Sequence, residues 1–270
     1  MRRPLQILPN CRMGSGYYVY TIQRSRQSVL LGLTGLGGSS LAAVAHRDLA
    51  ATTSVVKVGD VRPTTEHVLH HETVVEAVRR TAPALPVRFG TIFPDEGTLQ
   101  RALQTRYETL MDDLERLGDK VEMGLTVLAR DVDVPSHEDG VLNQDAEAEA
   151  DAGPGTRYMR ARLSEHQREE ARRDQGTGLM DSLETLLDGS IIGRRRAVTP
   201  ASRIIARAAY LLDSSSVSTF QTTIEDLRRA GTDIRVLVSG PWPPYSFVTS
   251  ASQGRESTDL LHDVVSDRLL

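Results

Sequence analysis

Between Asp131 and Asp151 the sequence carries eight carboxylates and neither lysine nor arginine. Self-repelling, poorly apolar stretches of this kind cannot bury enough surface to order themselves. The stretch therefore reads as a solvated, disordered or loosely held insertion. At 270 residues the chain is long enough for two domains that fold without disulfides or metals. The expected organisation is a flexible N-terminus at 1–16, an α+β domain at 17–118, a second α+β domain at 119–248 with the acidic insertion at 131–155, and a tail at 249–270.

In the first half, Tyr17 to Ile22 is a β-branched and aromatic run that reads as a strand. Val29–Leu33, Leu41–Ala45 and Ser54–Val58 add short strands around a glycine-rich stretch holding Gly32, Gly35, Gly37 and Gly38. From Thr64 to Arg80, Val68, Val74, Val75 and Val78 recur at helical spacing between Pro63 and Pro83. Pro94-Asp-Glu then opens a helix bearing Leu99, Leu103, Leu110, Leu114 and Leu117, which Gly118 stops.

The second half alternates. Val121–Ala129 reads as a strand, about Arg157 to Leu187 as a long, very polar helix, Ser202–Leu212 as a strand, Ser215–Ala230 as a helix and Asp233–Ser239 as a strand. Such an alternation fits a ferredoxin-like, split βαβ sheet with helices on one face. Arginines and glutamates interleave along the long helix, so most of its surface is expected to be wet.

Several functions are disfavoured at once. A net charge of −4 gives no general attraction to nucleic acid or anionic lipid. Cys11 is the only cysteine, which rules out an internal disulfide and a zinc ribbon. No apolar run is long enough for a signal core or a membrane span, and a cytoplasmic location is expected. The glycine stretch lacks the spacing and lysine of a phosphate loop, so a flexible hairpin connection is the better reading. His67, His70 and His71 could share one helix face, but they do not form H-E-x-x-H, and a helix-surface or interface histidine cluster is favoured over a metal site. The sequence supports no cofactor and no catalytic constellation.

Two segments stand out. In Leu85-Pro-Val-Arg-Phe-Gly-Thr-Ile-Phe93 an arginine and a glycine interrupt an apolar run, so Gly90 is expected to permit a bulge or close approach. Ser239-Gly-Pro-Trp-Pro-Pro-Tyr-Ser-Phe247 holds three prolines and three aromatic residues, including the only tryptophan. Such a stiff, ring-bearing path can anchor a partner, or fold back and seal the protein's own core; the second is slightly favoured because aromatics bury themselves first.

At these residues the chain resembles the gas vesicle protein F/L family (GvpF/GvpL), minor proteins of microbial buoyancy organelles. The resemblance rests on Tyr18-Val-Tyr20, on His71 with Val74 and Val75, on Leu85 to Phe93, on Lys120-Val-Glu-Met-Gly124, on Ala209-Tyr-Leu-Leu212 and on Gly240 to Phe247. Order and spacing agree over residues 17–248. Met123 stands where relatives often have tryptophan. The resemblance implies a non-enzymatic accessory protein of two α+β domains, the second a modified ferredoxin-like fold, which binds the small hydrophobic shell protein GvpA and other minor gas vesicle proteins during assembly. The expected contact residues are Trp242, Tyr245 and Phe247, with Arg88 and Phe89 organising the neighbouring surface. The rival reading is a ferredoxin-like small-molecule-binding protein or enzyme using the inter-domain cleft, with the histidines or Arg88 as its polar groups.

Overall fold

The computed structural model describes residues 14–25, 32–128, 153–197, 204–229 and 235–249. Most of the expected flexible N-terminus and of the acidic insertion, nearly all of the tail and much of the Val29–Leu33 strand lie outside these residues; of the N-terminus expected at 1–16, Ser15 and Gly16 are already in the first strand. The chain forms two compact units, Met1–Glu122 with Trp242–Leu270, and Met123–Pro241. The proline-aromatic segment from Trp242 onward thus returns to the first unit.

The first unit is built on strands β1 (Ser15–Arg24), β2 (Leu41–His46), β3 (Leu49–Lys57), β4 (Ala84–Pro86) and β5 (Ile92–Phe93). Their order is β2-β3-β1-β4, and β5 also pairs with β1. All five pair antiparallel. The β1–β3 register shifts between Val19 and Thr21, a bulge centred on Tyr20. Tyr18 and Tyr20 enter a core with Leu36, Val56, Val58, Val61, Val74, Val75 and Ile92. Beside it, Thr21, Gln23 and Thr52 are fully buried, and a hydroxyl–amide chain joins them: Thr21 donates to Gln23 Oε1 and Gln23 Nε2 donates to Thr52. Buried polar atoms need such partners, and these also fix the register.

Helix α1 (Thr65–Thr81) starts where Thr64 accepts the His67 N–H, and it buries Val68, His71, Val74, Val75 and Val78. The single helix expected after Pro94 is two: α2 (Glu96–Thr105), capped by Asp95, and α3 (Tyr107–Leu117). They break at Arg106, whose backbone leaves helical values (φ −109°, ψ 15°). The leucines still occupy the buried faces on both sides of the break.

The second sheet contains β6 (Lys120–Leu128), β7 (Gly193–Ala197), β8 (Ile204–Asp213) and β9 (Arg235–Trp242) in the order β7-β8-β6-β9. Helices α4 (Pro154–Leu187) and α5 (Val217–Arg229) lie between β6 and β7 and between β8 and β9 in the chain. The element order is therefore β-α-β-β-α-β. Strand β7 is an addition to the elements expected from the sequence: Gly-Arg-Arg-Arg-Ala has no apolar alternation. At about 1.5 Å per residue, α4 is about 50 Å long. Its last turns bury Met180, Leu183, Glu184 and Leu187 on one stripe, whereas Tyr158, Met159 and Leu163 near its start are 58–66% exposed.

Candidate functional site

The arginine-phenylalanine-glycine turn is positioned by a buried relay in the first unit. Gly90 adopts φ +83°, a conformation that an L side chain rarely takes, and this turns the chain between β4 and β5. Its N–H donates to the Tyr18 hydroxyl at 3.1 Å. That hydroxyl meets His71 Nδ1 at 2.8 Å, and His71 Nε2 meets the Val87 carbonyl at 3.0 Å. A carbonyl only accepts, so Nε2 carries the proton and Nδ1 accepts from Tyr18. Each polar atom of the relay has a partner with the imidazole neutral. Burial pushes the His71 pKa down to about 4 and the Tyr18 phenol well above its ordinary range.

Phe89 is half-buried, with its ring 5.7 Å from His71 and 6.0 Å from Tyr18, both edge-on. Arg88 is exposed, and its carbonyl accepts from the Thr91 N–H and hydroxyl. The glycine stretch is also fixed in place. The Leu36 N–H donates to the Tyr20 hydroxyl at 2.7 Å, and a Cβ on Gly35 would stand 2.6 Å from Ser54 Cβ. The stretch is thus packed at Gly35 and Leu36, while Gly32, Gly37 and Gly38 are exposed with open space around them.

The proline-aromatic segment is strapped to the first unit by three acidic residues. The Tyr245 hydroxyl donates to Glu72 at 2.7 Å. Ser246 donates to Glu122 through its N–H at 2.9 Å and its hydroxyl at 2.7 Å. Thr249 does the same to Asp113, at 2.7 and 3.0 Å. Asp113 and Glu122 are 2% and 3% exposed, so the strap supplies hydrogen bonds that buried carboxylates require. Arg116 bridges Asp113 and the Phe247 carbonyl, and Arg106 donates to the Thr249 carbonyl. Burial raises the pKa of both partners of the Tyr245–Glu72 pair, and the hydrogen bond from Tyr245 partly offsets the rise for Glu72.

Of the residues expected at a partner surface, Phe247 is buried at 6% exposure and Tyr245 is half-covered with its hydroxyl engaged. Trp242 and Phe89 are half-buried and Arg88 is exposed. The segment folds back on its own unit. The carboxylate anchors carry no signal in the sequence, because Glu122 and Asp113 lie 124 and 136 positions from their partners.

The three histidines of α1 go separate ways. His71 is in the relay, His70 Nε2 meets the Thr34 carbonyl, and His67 Nδ1 accepts from the Arg62 N–H. Among the described residues no group of three His, Cys, Asp or Glu side chains could hold a metal ion, and no helix is long and apolar enough to cross a membrane.

In the second unit Glu184, only 3% exposed, receives hydrogen bonds from Arg194, Arg196 and Tyr210. Burial pushes its carboxyl up, but the two guanidinium groups outweigh this and hold it below its ordinary value. Arg196 also bonds Asp181 at 2.7 Å. With Thr185 and Asp188 these charged residues line an open hollow of about 340 Å³. The cluster explains β7: its alternate arginines are held by a helix carboxylate instead of an apolar core.

A family model described as gas vesicle synthesis protein GvpL/GvpF matches residues 16–249. The chain is 28% identical to gas vesicle protein L of a Streptomyces species over 265 residues, covering 89% of this chain and 96% of that protein. It is also 28% identical to gas vesicle protein F2 of Halobacterium salinarum, over 87% of this chain and 92% of that protein. In fold it is similar to the crystal structure of GvpF from Microcystis aeruginosa (TM-score 0.68, 16% identity, covering 87% of this chain and 99% of that one). The GvpF structure from Anabaena gives a TM-score of 0.65 at 18% identity, covering 90% of this chain and 100% of that one.

Proposed function

The chain belongs to the GvpL/GvpF family of gas vesicle synthesis proteins, and on that premise we propose that it is a non-enzymatic accessory protein of gas vesicle assembly. It binds the small hydrophobic shell protein GvpA and other minor gas vesicle proteins, and prevents premature aggregation before the wall forms. The observation that carries this reading is the extent of the family match, which takes in the described parts of both units. A wall-forming protein must display apolar surface and strand edges before assembly, and both cause aggregation unless covered. Strand addition and hydrophobic docking are the two physical modes by which an α+β protein covers them.

The second unit, β-α-β-β-α-β with strand order β7-β8-β6-β9, is read as a modified ferredoxin-like fold. Within the proposed partner surface Trp242, Phe89 and Arg88 present contact area, and Tyr245 and Phe247 anchor the segment that carries Trp242. The test is co-expression of GvpA with this chain, wild type and Trp242→Ala with Phe89→Ala, after circular dichroism has shown that the variant is folded. GvpA should remain soluble and co-purify with the wild type, and less so with the variant. GvpA equally insoluble with and without the wild-type chain overturns the reading.

A further inference from the structure

The structure assigns the outer edge of β2, Leu41–His46, as the strand-accepting edge of this protein, and its occupant as an extended, uncharged apolar segment of the shell protein; this rests on the function proposed above. An edge strand turns the N–H and C=O of every second residue away from its neighbour, and proteins ordinarily guard such edges with charge, proline or interruption. The described sheets have four edges, and three are guarded. Strand β7 is Gly-Arg-Arg-Arg-Ala. Strand β9 begins at Arg235 and carries Pro241 near its end. The far border of the first sheet is broken into two short strands, β4, which ends at Pro86 and gives its Ala84 carbonyl to Arg79, and β5, which is two residues long and is followed by Pro94.

Strand β2 carries no charge, proline or interruption of its own, and helix α2 packs against it. The strand reads Leu-Ala-Ala-Val-Ala-His, pairs with β3 on one side from Leu41↔Ser54 to His46↔Leu49, and has no strand on its other side among the described residues. Ala42, Ala43 and Ala45 are exposed, so small side chains leave the backbone open to a close approach. At about 3.4 Å per residue the edge offers about 20 Å of ladder. Val55, adjacent to Leu41's partner Ser54, is 51% exposed and extends the uncharged character beyond the strand. A charged strand gains no counter-ion from β2 and would lose hydration on docking, whereas an uncharged apolar strand loses little. The edge therefore selects a client whose own strand is neutral.

The test compares full-length wild type with Ala43→Lys plus Ala45→Lys, which introduces guards at exposed positions and leaves the β2–β3 backbone pairing in place. Binding of purified GvpA is titrated for both, and amide hydrogen exchange is followed across β2 with and without GvpA. The expected result is at least a tenfold weaker affinity for the variant at unchanged melting temperature, with slowed exchange of β2 amides only when wild type is bound. Equal affinities, or binding with no protection of β2, overturn the edge assignment while leaving the wider function standing. Failure of wild type to bind GvpA at all overturns both. Protection of β2 that grows with protein concentration, with a doubled mass and no GvpA present, makes a second copy the occupant and overturns the proposal.

Discussion

Acidification should unlatch the first unit at His71. In the folded chain its pKa is pushed down to about 4, against about 6.5 for an exposed histidine. Between these values the unfolded chain binds more protons, so the contribution of His71 to stability is complete above about pH 6.5 and is lost as pH falls towards 4. Each tenfold loss of proton affinity corresponds to about 1.4 kcal/mol, which sets a ceiling of about 3 kcal/mol, and about 2 kcal/mol of this is gone at about pH 5. The cause is geometric as well as dielectric: a second ring proton would point at the Tyr18 hydroxyl, which already donates to that nitrogen and accepts from Gly90. Trp242, the only tryptophan, belongs to this unit and reports its unfolding by fluorescence. Urea midpoints at about pH 7, 6 and 5 should fall for the wild type by the equivalent of about 2 kcal/mol more than for His71→Gln, which has no titrating imidazole. Parallel declines in the two proteins would refute the neutral relay.

Other perturbations follow from the same contacts. Asp113→Asn removes charge where Thr249 and Arg116 converge, and should lower stability by about 1–3 kcal/mol and loosen the strap, seen as faster amide exchange at 246–249. Phe247→Ala empties a buried ring site and should cost about 3–5 kcal/mol in denaturant unfolding. Glu184→Gln leaves Arg194 and Arg196 without their shared carboxylate; because both arginines keep solvent contact, the expected loss is near the lower limit for a broken buried pair, about 3 kcal/mol by thermal unfolding. Gly35→Ala forces a methyl against Ser54 and should destabilise by about 1–3 kcal/mol, whereas Gly59→Ala, with open space around it, should not.

Where local pattern and tertiary burial agree, the sequence is readable. The strand at Tyr17–Ile22 and the helix over Thr64–Arg80 are present because the alternating and helical periods match the faces they bury. The strand starting at Leu49 is expected only from Ser54, since Ala50, Ala51, Thr52 and Thr53 show no apolar alternation yet are buried on both faces. Strand β7 is illegible for a related reason: its stability comes from Glu184 on another element, a contact that no window of the sequence contains. The break at Arg106 interrupts a leucine pattern that runs through both helices, so the pattern alone does not show it. At the candidate site the aromatic residues are visible by type. Their anchoring is not, because the partners Glu72, Glu122 and Asp113 look like ordinary surface carboxylates in sequence.

A soluble client complex between this chain and the shell protein is the premise on which the proposed role stands or falls. A complete set of gas vesicle components, expressed in a heterologous host with and without this chain, tests it through the yield of floating vesicles and the soluble fraction of GvpA. Omission is expected to abolish flotation and drive GvpA into the pellet. Normal flotation with GvpA still soluble in the absence of this chain would contradict the proposed role.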